Sequence, residues 1–223
     1  MHLLLVRHGE SEGNTEMRLQ GQGDYPLTER GLRQARLAAE RLRRLSLAAL
    51  YSSPISRARL TAAVIGEAAG LEVTELPGVR EYDFGDLSGI TYRELVEKHP
   101  EIVEQYRRGP DYPTFPGGED REAFRTRVCE ALWGVAERHR GASVAVVTHA
   151  GPIALFCLEV LGLPYRRPIP LRVYNGSITV VEVRDSPLDA GPSERDPWPR
   201  AVLAALNDTC HLEGIDSDSE GQA

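Results

Sequence analysis

Two short apolar runs limit what this chain can fold into. HLLLVR (2–7) and SVAVVTH (143–149) are aliphatic and rich in branched side chains, and each leads straight into a turn or helix signal. Strands buried on both faces of a parallel sheet read this way. The first run hands over from Arg7 to His8, and the second ends on His149. A buried strand needs neither a cation nor an imidazole at its end. A pocket at the carboxyl ends of parallel strands can use both.

Between these runs strand and helix alternate. Thr28 caps a helix with Leu32, Ala35, Ala39 and Leu42 on one face. AALYSS (48–53) is a short strand, and Ser53 or Ser56 is placed to cap a helix over 55–69, with Ala58, Ala62 and Ile65 inward and Gly70 as its stop. LEVTEL (71–76) is a third strand. Gly and Pro recur from 77 to 118, with short helices expected near 91–98 and 100–107, which reads as an inserted cap. A long helix follows over 119–139, and AGPIALFCLEVLG continues from His149 as a helix ending at Gly162. LRVYN (171–175) and SITVVEV (177–183) read as two strands joined by an Asn175-Gly176 hairpin. Residues 185–200 form a Pro-rich loop, and 213–223 an acidic tail expected to be disordered. The βαβ spacing predicts an α/β fold: a three-layer α/β/α sandwich with a mostly parallel central sheet, an antiparallel strand near the edge and a small inserted cap. One domain over 1–212 is expected.

Composition narrows the partners. A net charge of −7 argues against a general grip on nucleic acid. All 26 cationic side chains but Lys98 are arginine, so any phosphate grip must use Arg, His or backbone amides, although composition bias alone explains the count. Cys129, Cys157 and Cys210 are scattered and fit reduced thiols in a cytoplasmic protein. No apolar run approaches membrane-spanning length, and the start lacks a basic segment ahead of its apolar run, so neither a membrane nor a signal peptide is expected.

Taken alone, His8 or His149 reads more readily as a capping or hydrogen-bonding residue than as a catalyst. Together, with Arg7 and with Arg57 beyond the second strand, they gain a common purpose. Two guanidiniums repel unless an anion lies between them, and their forks match phosphate oxygens. Cations beside two histidines disfavour a divalent metal, and no metal or nucleotide motif occurs. Phosphoryl transfer through histidine needs this set: a neutral imidazole attacks phosphorus, and arginines with a second histidine stabilise the equatorial oxygens. A separate acid must protonate the leaving oxygen. Glu81 is a candidate, with Asp83 and Asp86 as local competitors. The amides of Ala150 and Gly151 lie near a helix N-terminus, which favours anions. Asn14 is equally a phosphate ligand or a helix cap.

Arg7-His8-Gly9-Glu10-Ser11…Asn14 resembles the RHGxT/S-x-x-N signature of the histidine phosphatase superfamily, the phosphoglycerate-mutase-like group. Ser52-Ser53-Pro54…Arg57-Ala58…Thr61-Ala62, Arg80-Glu81…Gly85…Leu87…Gly89 and Val147-Thr148-His149-Ala150-Gly151 follow in that family's order across residues 3–180. The resemblance implies His8 as the phosphorylated nucleophile, Arg7, Arg57 and His149 as the phosphate pocket, and Glu81 as proton donor. It suggests Asn14, Gln20 and Gly21 as further phosphate or substrate contacts, and it implies no metal and no cofactor. Ala150 stands where the family often has Gly, and Ser11 replaces the commoner Thr. Pro116-Gly117-Gly118-Glu119-Asp120 resembles an element of phosphatase-type members, so hydrolysis is expected over phosphoglycerate mutation. Arg107 and Arg108 either hold a substrate carboxylate or form a solvated helix end. The expectation is a metal-independent phosphomonoesterase for small phosphorylated metabolites. A cofactor-dependent mutase and a phosphoprotein-binding module are the alternatives, and a homodimer is possible through a sheet edge.

Overall fold

A computed structural model describes residues 1–108, 113–165, 169, 171–184 and 200–215. Among these residues six strands form one sheet: β1 (His2–Arg7), β2 (Leu47–Ser52), β3 (Val73–Glu75), β4 (Ser143–Thr148), β5 (Ile178–Val183) and β6 (Ala201–Asp208), in the order β3-β2-β4-β1-β5-β6. β3, β2, β4 and β1 pair in parallel, and β5 runs antiparallel to both β1 and β6. The helices are α1 (Glu12–Thr15), α2 (Glu29–Leu42), α3 (Ser56–Ala69), α4 (Tyr92–Lys98), α5 (Pro100–Arg108), α6 (Arg121–Arg138) and α7 (Ala150–Val160).

The two-residue period of the strands sorts the core into two layers. Leu3, Leu5, Val144, Val146 and Val181 point to one face, against Phe124, Val128 and Leu132 of α6 and Ile153 and Phe156 of α7. Leu4, Val6, Leu50, Ala145 and Val147 point to the other, against Ala39 and Leu42 of α2 and Ala58, Ala62 and Ile65 of α3. Each large apolar side chain buried this way contributes roughly 1.5–3 kcal/mol. A third, smaller cluster of Leu87, Leu95, Ile102 and Phe115 lies within 77–118, flanked by Tyr82 and Phe84.

Local chemistry fixes the helix that backs the end of β1. Thr28 caps α2 by accepting from the Gly31 amide at 3.0 Å, and its own amide donates to Glu10 O at 2.9 Å. The chain after β1 therefore packs backbone to backbone on the start of α2. A Cβ on Gly9 would lie 2.3 Å from Gly31 O, and one on Gly31 would lie 2.0 Å from Glu10 O. Both glycines are required by this approach.

The structure corrects three local expectations. Neither Ser53 nor Ser56 caps α3: Ile55 is its N-cap residue, and Ser53 Oγ accepts from the Ile55 amide at 3.3 Å. Residues 171–174 are not a strand, so there is no hairpin about Asn175-Gly176, although the turn itself forms. β5 already has β1 on one side and β6 on the other, which leaves no edge for 171–174 to pair with. β6 itself was hidden: AVLAALND has the Ala/Leu content of a helix, and its place beside β5 overrides that preference. Most of the expected Pro-rich loop (185–199) and most of the acidic tail (216–223) lie outside the described residues. Cys129 and Cys157 are buried free thiols and Cys210 is an exposed one. Among the described residues no helix is long and apolar enough to cross a membrane.

Candidate active site

The parallel register of β1 and β4 aligns Arg7 with Thr148, so His8 and His149 leave the sheet side by side. The His8 amide donates to Thr148 O at 3.0 Å. The two imidazoles meet edge to face, their ring centres 5.1 Å apart. β2 is the next strand, and its exit brings Ser53, whose Oγ lies 2.8 Å from His149 Nε2. Arg57, one residue into α3, then reaches back over this point.

The tautomer of His8 follows from its neighbours. Nδ1 lies 2.7 Å from Gly9 O, which can only accept, so Nδ1 carries the proton. Nε2 lies 3.2 Å from Arg57 Nε, which can only donate, so Nε2 presents its lone pair. Burial, reinforced by Arg57 and then Arg7, holds the His8 imidazole well below its ordinary range. Burial does the same to His149, again with Arg57 first among the charges. Ser53 Oγ accepts from the Ile55 amide and lies within hydrogen-bonding distance of His149 Nε2. His149 Nδ1 is buried with no hydrogen-bond partner among the described residues, and with the Ser53 hydroxyl donating to Nε2 it carries the ring proton. That is a donor suited to an oxyanion.

The guanidiniums are held by backbone carbonyls. Arg57 Nη1 and Nη2 donate to Gly23 O and Gly21 O, both at 2.8 Å, and Arg7 Nη1 donates to Val173 O at 2.6 Å. Burial pulls each down to about 10, which leaves both charged at neutral pH. Glu81 is the largest charge acting in the opposite sense on each, so its carboxylate belongs to the same field. Glu81 Oε1 accepts from the Tyr82 amide at 2.9 Å and Oε2 from the Gly151 amide at 3.2 Å. A Cβ on Gly151 would lie 2.1 Å from Glu81 Oε1. The Gly151 amide, expected as a phosphate contact, is therefore occupied by Glu81. Ala150 is the first residue of α7, with His149 as its N-cap.

Asn14 takes the capping role foreseen for it. Its Oδ1 accepts from the Ser11 amide at 3.0 Å and from Asn175 Nδ2 at 3.1 Å, closing the cap of α1. Its NH2 half is the half these bonds leave over. Gln20 is buried, with its side-chain amide 2.8 Å from Ser11 Oγ, and Gly21 joins the cluster through the carbonyl that Arg57 holds. Asp83 and Asp86 turn elsewhere: Asp83 Oδ1 accepts from the Gly85 amide at 2.9 Å, and Asp86 is exposed with its carboxylate beside Gly117. Arg107 and Arg108 are exposed at the end of α5, with Arg108 paired to Glu104.

Three participants escaped the sequence reading. Ser53 orients His149. Asn175 Nδ2 lies 3.1 Å from both His8 O and Asn14 Oδ1, tying the turn after residue 174 to the cluster. Arg127 holds the segment that carries Glu81.

Two buried neutral imidazoles make stability depend on acid. The native pKa of each is depressed below 6.5. As pH falls below that value, the unfolded chain takes up protons that the native state refuses, so stability falls. The slope approaches about 1.4 kcal/mol per pH unit for each ring. Glu94 and Asp208, held at about 2, contribute losses only in stronger acid. Denaturant midpoints measured from pH 7 to 5 are expected to drop steeply in wild type and less steeply when His149 is replaced by Asn. A flat profile would contradict the buried neutral pair.

A sequence profile of the histidine phosphatase superfamily (branch 1) matches residues 3–189. Phosphoserine phosphatase 1 of Hydrogenobacter thermophilus is 37% identical over 210 residues, covering 94% of this chain and 93% of that protein. A probable phosphoglycerate mutase, GpmB, of Yersinia pestis is 32% identical over 213 residues, covering 96% and 95%. The structure of a mycobacterial glucosyl-3-phosphoglycerate phosphatase complexed with VO3 superposes with a TM-score of 0.78 at 28% identity, over 93% of this chain and 99% of that one.

Proposed function

The chain belongs to the histidine phosphatase superfamily, branch 1, and we propose that this phosphoric monoester hydrolase works without a metal, through a phosphohistidine on His8. Its substrates are small phosphorylated metabolites. Glu81 acts first as general acid and then as general base.

The observation that carries the reading is the lone pair on His8 Nε2, facing Arg57, with the ring proton given to Gly9 O. In the first step Nε2 forms a bond to phosphorus while the bond from phosphorus to the ester oxygen breaks. The proton of the Glu81 carboxyl goes to that oxygen. Gly9 O continues to accept from Nδ1, which stabilises the positive charge the ring acquires. Arg7, Arg57 and His149 Nδ1–H meet the charge on the equatorial oxygens. In the second step the Glu81 carboxylate takes a proton from water, whose oxygen bonds to phosphorus. The phosphorus–nitrogen bond breaks and inorganic phosphate leaves. Asn14, Gln20, Gly21 and the Ala150 amide complete the contacts in this reading.

The relatives support the substrate class: their names specify phosphoserine and glucosyl-3-phosphoglycerate phosphatases. Likeness to a probable phosphoglycerate mutase keeps mutation as the second reading. Incubation with phosphoserine and, separately, 3-phosphoglycerate distinguishes the two. Release of inorganic phosphate, undiminished by chelators, is expected. Conversion of 3-phosphoglycerate to 2-phosphoglycerate with little free phosphate would establish the mutase instead. A protein that binds phosphorylated ligands but forms no phosphoenzyme would be a binding module.

A further inference from the structure

We propose that Arg127 is the positioning residue for the general acid, acting through the backbone of residues 78–81; this rests on the reading of Glu81 as the acid. Arg127 is the seventh residue of α6, and every N–H of its guanidinium has an acceptor. Nη1 donates to Gly78 O and Arg80 O, both at 2.8 Å. Nη2 donates to Glu81 O at 3.0 Å and to Glu119 Oε2 at 2.7 Å. Nε donates to Glu119 Oε1 at 2.6 Å. Its Cζ lies 4.9 Å above the ring of Phe124, which is fully buried.

A guanidinium so completely engaged has no donor left for substrate. Its work is to hold three carbonyls of one irregular segment in a fixed array. Thr148 Oγ1 holds the remaining one, donating to Val79 O at 2.6 Å. The four carbonyls from 78 to 81 are thus all fastened by side chains, and the last of them belongs to Glu81. Apart from a single 3-10 turn over Pro77–Val79, this stretch has no regular structure of its own. These bonds fix the backbone from which the Glu81 side chain departs, and so place its carboxylate where the Tyr82 and Gly151 amides can meet it.

Glu119 completes the device. It forks onto Arg127, its amide donates to Asp83 O at 3.0 Å, and its carbonyl accepts from the Tyr82 hydroxyl. The Pro116–Asp120 element therefore clasps the acid-bearing segment from the far side and hands it to α6. Displacing a reacting carboxyl by an ångström is enough to cost large factors in rate.

The test compares Arg127→Lys and Arg127→Ala with wild type, each also in a Glu81→Gln background. Two esters are used: glycerol 2-phosphate, whose alkoxide must be protonated to leave, and 2,4-dinitrophenyl phosphate, whose phenolate need not be. In both Arg127 variants kcat/KM for glycerol 2-phosphate should fall by about 10²-fold, since correctly placed acid catalysis is worth that much or more. For dinitrophenyl phosphate the change should stay within a few fold. In the Glu81→Gln background the same changes should add almost nothing on either ester. Lysine keeps the charge that acts on His149 but not the fork. Full rescue by lysine would therefore overturn the proposal, as would equal loss on both esters or undiminished loss in the Glu81→Gln background. If Glu81→Gln alone shows no preference between the esters, the acid assignment itself fails, whatever Arg127 does. Should Arg127→Ala not fold, Glu119→Gln, which keeps one acceptor, is expected to give the same pattern more weakly, and equal loss on both esters would count against the proposal.

Discussion

Alanine at position 8 is expected to abolish turnover of every phosphomonoester, aryl and alkyl alike, by about 10⁴-fold or more, because removing a covalent nucleophile leaves only the binding and electrostatic contributions. No other group in the cluster can take its place. His149 Nε2 is held by Ser53, 2.8 Å from its Oγ. The guanidiniums are charged and carry no lone pair. Binding is a separate matter. Arg7, Arg57 and His149 remain in the variant, so inorganic phosphate and vanadate should still bind within about tenfold of wild type, the forked arginine contacts being the stronger part of the grip. A quench in base, which preserves phosphohistidine, should recover protein-bound phosphate from wild type and none from the variant. Hydrolysis of p-nitrophenyl phosphate by the variant at the wild-type rate would remove His8 from the mechanism.

The parts of this site that could be read from sequence share one property: each is set by a local signal. Arg7 and His8 follow a run whose strand character is plain, and so does His149. Parallel pairing then brings strand ends together without further instruction. Arg57 lies in the first turn of a helix that must start just after β2. The parts that could not be read depend on distance along the chain. Arg127 is one of four arginines in α6, and nothing near it separates it from Arg121 or Arg125. Only the packed structure shows that this one faces residues 78–81, some forty-six positions earlier. Asn175 gives a correct turn signal that says nothing of the amide's second task beside His8. The same limit explains the strands. β6 has weak strand chemistry and forms because β5 offers an edge. Residues 171–174 have strong strand chemistry and do not pair because that edge is taken.

The second large effect sorts substrates by their leaving group. Glu81→Gln preserves size and one acceptor, but it cannot carry a transferable proton. An alkoxide is too basic to depart from phosphorus as an anion, whereas a dinitrophenolate departs readily. On glycerol 2-phosphate the variant should therefore lose about 10²–10⁴-fold in kcat/KM, the ordinary worth of general acid catalysis, and on 2,4-dinitrophenyl phosphate less than tenfold. The second step needs Glu81 as well, now as the base for water. With the activated ester the first step stays fast while the second is slowed, so a burst of dinitrophenol and an accumulating phosphoenzyme are expected. Inhibition should also change. The Glu81 carboxylate is the largest opposing charge beside Arg7 and Arg57. Removing it lifts a repulsion on any anion bound there, so inorganic phosphate should inhibit the variant at lower concentration than wild type. Asp83→Asn and Asp86→Asn provide the comparison, since those carboxylates face the Gly85 amide and Gly117 rather than the histidines. If either of them reproduces the split between the two esters, or if Glu81→Gln slows both esters alike, the proton comes from elsewhere than Glu81.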